Sequence, residues 1–183
     1  DNTKEVVESF TNRLPLHYLF EPRTGKSCAF NKSLNVVELG EIVVFTDDDV
    51  TPQTDWLKAI WASCKDNPNH AIGGGRVNSI WPNNSEPKWF RFSKTTCGLR
   101  GHYLGEKERF YPDNNCPIGP NFWIRKALFK NGLRFEESIG PSPIKRAMGE
   151  ETYLLNKLIN DGYKIVYCPD SVIYHRLQES LVS

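Results

Sequence analysis

Three consecutive aspartates, Asp47, Asp48 and Asp49, follow directly on a run of apolar residues. Residues 42–46 show no polar alternation, which predicts a strand that is buried on both faces, as in a parallel sheet beneath helices. Carboxylates repel one another and are poor strand formers, so we expect the triplet at the carboxyl edge of the sheet, where open α/β sheets bind ligands. Oxygen ligands from Asp47 and Asp49 suit Mg²⁺ or Mn²⁺ that is shared with a phosphate-bearing substrate.

The aspartates also fit a simpler explanation, the start of a helix. Thr51 and Pro52 precede a segment with helical apolar periodicity, and acidic residues stabilise the positive end of a helix dipole. One aspartate would satisfy that role, whereas three in a row at the end of a buried strand exceed it. The triplet therefore favours a metal or nucleotide site.

A second pair of carboxylates, Glu150 and Glu151, stands where a Gly/Pro/Ser-rich loop becomes an amphipathic helix. Helix-dipole pairing explains the pair equally well. The functional alternative is a general base that takes a proton from an attacking hydroxyl. Adjacent residues project differently, so one carboxylate would act directly and the other would hold a substrate hydroxyl or order the loop.

The elements that must position these residues alternate along the chain. We predict a helix to residue 11, a strand at 16–20, a helix at 26–39, the strand at 42–46 and a helix from Thr51 to residue 66. Further strands are predicted at 71–77, 116–124, 164–167 and 171–175, with helices at 125–130 and 150–160. The glycines of residues 73–75 would allow close approach of another backbone or side chain. This alternation predicts an α/β fold with a mostly parallel sheet flanked by helices.

Residues 78–115 lack any sustained period but are rich in aromatic residues. A long irregular stretch in a compact domain is either disordered or a functional lid, and so many aromatics argue against disorder. We expect an ordered loop beside the site, carrying Trp81, Trp89, Phe90, Phe92, Tyr103, Phe110 and Tyr111.

Composition and charge narrow the class of protein. The chain has 183 residues, 39% of them hydrophobic, and a formal net charge of +1, so no electrostatic argument favours nucleic acid as a partner. Five cysteines, odd in number and without a C-x-x-C pair, favour a reducing compartment over a disulfide framework. No segment has the length and apolarity of a membrane span. These features predict a cytoplasmic protein.

Several motifs, in this order, resemble a family 2 glycosyltransferase with the GT-A fold. They are Asp1-Asn2-Thr3, Gly25-Lys26-Ser27-Cys28-Ala29-Phe30-Asn31, Gly40-Glu41 through Phe45-Thr46-Asp47-Asp48-Asp49, Trp56-Leu57, Gly119-Pro120-Asn121, Gly149-Glu150-Glu151-Thr152, and Gly162-Tyr163-Lys164 through His175. The resemblance covers nearly the whole chain and implies one GT-A-like, Rossmann-like domain over residues 1–183. Residues 1–77 would form its donor side and residues 78–183 its acceptor side.

The resemblance also implies a role for each motif residue. Asp47 and Asp49 would form a D-x-D motif, with Asp47 near the nucleotide ribose and Asp49 on the metal. Glu151 would be the base, and His175 a further metal ligand, which Mn²⁺ accepts more readily than Mg²⁺. The remaining donor-binding residues would be Asp48, Lys26, Asn31, Gly119 and Asn121.

The implied reaction moves a sugar from a nucleotide-sugar, with a UDP-sugar expected, to an acceptor hydroxyl with inversion. The acceptor would be a glycan or a lipid-linked molecule, as in polysaccharide biosynthesis, and the aromatic loop would shape its site. A lipid-linked acceptor would place the protein at the inner face of the membrane as a peripheral protein.

Two features depart from the family pattern. Phe30 stands where members often carry an arginine that contacts the base, and Lys26, one helical turn earlier, would substitute for it. The family's opening strand–helix–strand unit, about 30 residues, precedes the first residue of this sequence. We therefore expect an N-terminally truncated domain of weak or no activity, or a homo-oligomer that covers the exposed sheet edge.

Other functions use the same residues. The first alternative is an inactive module that binds a sugar nucleotide or glycan. The second is a metal-dependent nucleotidyltransferase or phosphohydrolase that uses Asp47 and Asp49 as phosphate-side ligands. The third is a doubly wound domain without a site. Reaction products and metal-dependent stabilisation distinguish these possibilities.

Overall fold

A computed structural model of the chain describes residues 2–88, 90, 101–113, 115–141, 146–147 and 149–179. Asp1 and the aromatic residues Trp89 and Phe92 of the expected loop lie outside these ranges. The chain divides into two units, one of residues 1–39 and 134–150 and the other of residues 40–133 and 151–183.

The elements follow the predicted alternation of helices and strands. The helices are α1 (Thr3–Ser9), α2 (Lys26–Val36), α3 (Trp56–Asp66), α4 (Lys126–Lys130) and α5 (Glu150–Asn160), with a 3-10 turn at Pro82–Asn84. The strands are β1 (Ile42–Phe45), β2 (Val50–Pro52), β3 (Ile72–Ile80), β4 (Arg109–Phe110), β5 (Phe122–Arg125), β6 (Gly140–Pro141), β7 (Arg146–Ala147) and β8 (Ile165–Arg176). None of the helices described is long and apolar enough to cross a membrane.

The larger unit is built on one mixed sheet with the strand order β1-β5-β3-β8-β2, and β4 also pairs with β8. Strands β3 and β8 are parallel, and each of the other described pairs in this sheet is antiparallel. The α/β class is confirmed. The expectation of a mostly parallel sheet is wrong, because most of the described strand pairs are antiparallel. Strand β5 enters between β1 and β3 from a long loop rather than through a helical crossover, and such a connection allows it to run the opposite way.

The three consecutive glycines of β3 make close packing within the sheet possible. A Cβ atom on Gly73 would lie 2.2 Å from the indole of Trp123, one on Gly74 would lie 2.3 Å from Pro117, and one on Gly75 would lie 2.2 Å from the carbonyl oxygen of Ser171. The predicted close approach at these glycines is therefore confirmed.

Helix α3 covers one face of this sheet. Trp56, Ile60 and Cys64 recur at helical spacing and form a buried cluster with Val77 of β3 and neighbouring residues Trp123 and Ile173. The outer face of the same helix carries the exposed residues Leu57 and Trp61. This amphipathic pattern explains why residues 56–66 are helical, since one stripe is buried and the opposite stripe is solvated.

Several predicted boundaries differ from the structure. No strand forms at residues 16–20, and Val6 and Phe10 of the first helical segment are exposed. A short extended segment without a partner strand leaves its backbone groups unpaired, so local propensity alone does not make it a strand. Pro52 ends β2 instead of opening α3.

The two short closing strands predicted at 164–167 and 171–175 are parts of the single strand β8. Its register to β3 shifts between Gly75 and Arg76, whose partners are Cys168 and Val172. The intervening residues bulge out of the ladder, and Pro169, which has no backbone N–H to donate, lies among them. The break seen in the sequence is therefore a bulge, not a strand end.

Candidate functional site

Asp49 and His175 are brought together by the pairing of β2 with β8. Asp48 and Asp49 form a turn between β1 and β2, and the first residue of β2, Val50, lies opposite His175. The Asp49 carbonyl oxygen accepts a hydrogen bond from the Arg176 amide at 3.0 Å, which fixes the turn against β8. Asp49 Oδ2 lies 3.2 Å from His175 Nε2. Two predicted metal ligands are therefore adjacent.

The geometry of this pair fits a divalent cation that is shared with a substrate. Asp49 Oδ1 and His175 Nδ1 are buried and have no hydrogen-bond partner among the described residues. Adjacent ligands of an octahedral ion with bonds of about 2.1 Å lie roughly 3 Å apart, close to the spacing of this pair. In the described ranges no cluster of three or more His, Cys, Asp or Glu residues could hold a metal. A divalent cation held by this pair would need further ligands other than His, Cys, Asp or Glu side chains of these residues.

The carboxylates of Asp47 and Glu151 both lie near Gly119. A Cβ atom on Gly119 would lie 3.5 Å from Glu151 Oε1 and 3.7 Å from Asp47 Oδ2. Asp47 follows the end of β1, and Glu151 lies in the first turn of α5. The structure therefore brings the aspartate segment and the distant glutamate to one place, next to a residue that lacks a side chain.

Asn121, two residues after Gly119, is a buried hub of hydrogen bonds. Its Oδ1 accepts from Trp56 Nε1 at 2.9 Å and from Ser171 Oγ at 3.0 Å, and its Nδ2 donates to the carbonyl oxygens of Arg76 and Ser171 at 2.9 and 2.8 Å. Only 1% of the residue is exposed. Both the oxygen and the nitrogen of the Asn121 amide are therefore engaged in hydrogen bonds within the protein. These bonds hold β3, α3 and the bulge of β8 together next to the Gly119 turn.

In the smaller unit, Glu150 lies beside the start of α2. Glu150 Oε1 is 3.9 Å from Lys26 Nζ, and Glu150 Oε2 accepts a hydrogen bond from the Gly149 amide at 3.2 Å. The Lys26 ammonium also lies 5.4 Å from the centroid of the Phe30 ring. Glu150 is 3% exposed, whereas 30% of the Lys26 side chain is accessible. The buried carboxylate therefore balances the charge of a lysine that reaches solvent.

Asn31 is likewise engaged within the smaller unit. Its Oδ1 accepts from the Phe135 amide at 2.9 Å, and its Nδ2 donates to the Phe135 carbonyl oxygen at 2.9 Å and to Glu137 at 3.1 Å. These bonds fasten α2 to residues 135–137. The exposed residue Asp48 occupies the turn before Asp49. Direct donor contacts of Asn31 and Asp48 stay predictions.

Sequence reasoning missed the scaffold beneath the site. Ser171, fully buried, and Trp56 fix the Asn121 amide, and nothing in their spacing along the chain pairs them. The aromatic loop contributes a buried cluster in which the rings of His102 and Tyr111 stack at 5.3 Å and Tyr167 packs edge-on against both. Its expected part in an acceptor site stays a prediction.

Comparison with known proteins identifies first the fold and then the family. The chain superposes on a solved structure described as "Crystal structure of GalNAc-T7 with UDP, GalNAc and Mn2+" with a TM-score of 0.66 and 14% identity. That match covers 97% of this chain and 36% of the other, so the chain spans about a third of the length of that structure. The fold is that of a GT-A glycosyltransferase.

Residues 1–133 match glycosyl transferase family 2. Because this match spans most of the chain, the protein belongs to that family. The matched range contains Asp47, Asp49 and Gly119, while Glu151 and His175 lie beyond it. A search of curated proteins gave no significant match.

Proposed function

We propose that the chain carries the site of an inverting glycosyltransferase that moves a sugar from a nucleotide-sugar, expected to be a UDP-sugar, to an acceptor hydroxyl. One observation supports this proposal above all: Asp47 and Glu151 flank Gly119, and Asp49 pairs with His175 at 3.2 Å in the same unit. A pair of side chains that can hold a metal and a carboxylate that can accept a proton are the two parts that such a transfer requires.

Glu151 would act as the general base. The acceptor oxygen attacks the anomeric carbon, its proton passes to the Glu151 carboxylate, and the bond from that carbon to the diphosphate oxygen breaks with its electron pair on the diphosphate. The place beside Gly119 would receive the reacting part of the donor, because a small residue there leaves the space open. Asp47 would hold the nucleotide ribose.

Asp49 and His175 would hold a divalent cation, Mn²⁺ or Mg²⁺. When bound, the cation neutralises the charge that builds up on the leaving diphosphate. Lys26, balanced by Glu150, would contact the donor in place of the arginine that Phe30 replaces. A glycan or lipid-linked acceptor, a cytoplasmic location at the membrane face and a homo-oligomer belong to the same proposal.

The test measures product formation from UDP-sugars with Mn²⁺ for the chain and for Glu151→Gln. We expect release of UDP with formation of an inverted glycoside, and a loss of at least about 100-fold in rate for Glu151→Gln, the usual range for a general base. Glu5→Gln, the same change at an exposed position of α1, is the matched control and should retain full activity.

Three results would contradict the proposal. Release of UMP or a sugar phosphate would support a nucleotidyltransferase or phosphohydrolase instead. Transfer that is equally fast in Glu151→Gln would exclude that residue as the base. Binding of the donor without any turnover in the presence of Mn²⁺ would identify a binding module.

A further inference from the structure

A cavity lies at the outer side of α3, at the opposite end of β1 from the aspartates. It has a volume of about 390 Å³ and is lined by Glu41, Trp61, Cys64, Lys65, Pro68 and Arg125. This size is within the range of small-molecule binding sites. Four strand residues, Ile42–Phe45, separate Glu41 from the segment of Asp47. At about 3.3 Å per residue, roughly 13 Å of strand separates the two places.

The aromatic wall of this cavity is Trp61. The residue is 49% exposed, although its neighbours on the inner face of α3, Ile60 and Cys64, are each 2% exposed. Within the described ranges, its ring and indole N–H contact no stacking or hydrogen-bonding partner. A large flat ring on a rigid helix is thus open to a ligand on the side of the cavity.

The polar wall is a carboxylate in a fixed position. Arg125 Nη1 lies 3.0 Å from Glu41 Oε1, and the same guanidinium donates to the carbonyl oxygens of His70 at 2.9 Å and Cys64 at 2.6 Å. Arg125 is thereby held by the backbone around it, with 17% of its side chain exposed, while 64% of the Glu41 side chain remains accessible. The guanidinium positions Glu41 and leaves its other oxygen available as an acceptor.

A hydrogen-bond donor completes the set. The ammonium of Lys65, one helical turn after Trp61, is exposed and has no ion pair or hydrogen bond with any described residue. The cavity therefore combines one aromatic face with one acceptor and one donor of opposite charge. Arg125 already pairs with Glu41, so Lys65 adds one net positive charge, and the donors and the acceptor of this lining suit a ligand rich in hydroxyl groups.

We propose that this cavity is a second carbohydrate-binding site, in which a pyranose stacks on Trp61 and its hydroxyl groups form hydrogen bonds with Glu41 and Lys65. The C–H groups on one face of a pyranose are attracted to the negative face of an indole, whereas the hydroxyl groups at its rim require polar partners. The site lies away from Asp47 and Glu151, so it binds a glycan without transferring to it.

The test is saturation-transfer NMR of the full chain with cellobiose, maltose, lactose and chitobiose, in the presence of EDTA so that metal-dependent donor binding is absent. We expect at least one disaccharide to bind through one ring face. Trp61→Ala should weaken that binding by about tenfold or more and Trp61→Phe by less, because phenylalanine keeps a ring. Glu41→Gln should weaken it while leaving the melting temperature near that of the parent chain.

The matched control is Leu57→Ala, one turn earlier on the same exposed face of α3 and outside the cavity, which should bind like the parent chain. Absence of any saccharide signal, or signals that Trp61→Ala leaves unchanged, would overturn the proposal. Binding to phosphatidylcholine vesicles that depends on Trp61, without saccharide binding, would overturn it in favour of a membrane contact. Because EDTA is present and turnover is not measured, either result is independent of the proposed transfer reaction.

Discussion

Gly119 is the residue at which a single added methyl group would be most informative. Its Cβ would lie 3.5 Å from Glu151 Oε1 and 3.7 Å from Asp47 Oδ2, which is ordinary van der Waals contact without strain on the fold. We expect Gly119→Ala to fold with a melting temperature close to that of the parent chain. It should nevertheless lose at least about tenfold in transfer rate, because small misplacements of reacting groups are costly.

The control for this variant is Gly40→Ala. A Cβ atom at Gly40 would lie 3.9 Å from the nearest atom, the carbonyl oxygen of Ile42, so the substitution adds the same methyl group at a harmless position. Parallel measurement of melting temperature and UDP release for both variants separates a local from a global effect. Full activity of Gly119→Ala would show that the space between the two carboxylates is not used.

His102 provides a pH dependence whose direction follows from burial. Its pKa lies below the usual value because the protonated ring would lose hydration inside the protein. The unfolded chain then binds a proton more readily, so stability is retained above the ordinary histidine pKa and falls as the pH drops below it. The loss is at most about 1.4 kcal/mol per pH unit.

The variant His102→Phe should remove this part of the pH dependence. Phenylalanine keeps a ring against Tyr111, and it removes the buried Nε2 atom, which has no partner among the described residues. We expect the free energy of unfolding of the parent chain to fall more steeply than that of the variant between about pH 7 and pH 5. Denaturant titrations at several pH values measure the two slopes, and equal slopes would contradict the prediction.

At the scale of elements, the glycines of β3 are required by what packs against them. Gly73 lies opposite Trp123 in the β3–β5 ladder, and an added Cβ would be 2.2 Å from the indole ring. We expect Gly73→Ala to destabilise the fold by about 3 kcal/mol, the upper part of the range for overpacking a core. Denaturant unfolding compared with Gly40→Ala measures the difference. A cost below that of the control would mean that the indole moves aside freely.

Which elements the sequence predicts depends on how local their signals are. Helix α5 and strand β1 are predicted by their own apolar residues, and both form near the expected residues. The expectation that β1 is buried on both faces is wrong, because β1 is an edge strand in which only Phe45 is buried. The partners of a strand are a different matter, because pairing joins residues that are far apart in the chain. Nothing within residues 122–125 indicates that β5 lies between β1 and β3, and nothing within 16–20 indicates that no partner strand is available there.

In the candidate site, too, the sequence predicts the features that depend on single residues and not those that depend on contacts between distant segments. The types of Asp47, Asp49, Glu151 and His175 indicate metal and acid–base chemistry. The structure places Asp49 beside His175 and brings both Asp47 and Glu151 near Gly119. The sequence alone does not reveal that Asn121 is buried as a hub, because its partners come from three separate segments. The chemistry of the side chains can thus be predicted from the amino-acid sequence, whereas their burial depends on the whole fold.

At the scale of the molecule, the reactivity of the thiols reports how closely the described part of the chain is packed. Burial raises the pKa of Cys64 to about 12 and also raises the pKa of the Cys116 and Cys168 thiols. Since the thiolate is the reactive form, we expect iodoacetamide near neutral pH to modify these three residues far more slowly in the native chain than in guanidinium. Mass spectrometry of the peptides assigns each rate separately.

The three thiols should differ in their rates of modification according to their exposure. Cys64 and Cys168 are 2% and 4% exposed, whereas Cys116, near Glu151, is only partly buried. Cys116 should therefore react first, and its rate should fall when UDP-sugar and Mn²⁺ are added if the donor occupies the space around Gly119. A Cys97→Ser chain removes competing exchange from the one cysteine outside the described residues. Rapid labelling of Cys64 in the native chain would contradict the packing of α3 on the sheet, and with it the platform that places Asn121 beneath the site.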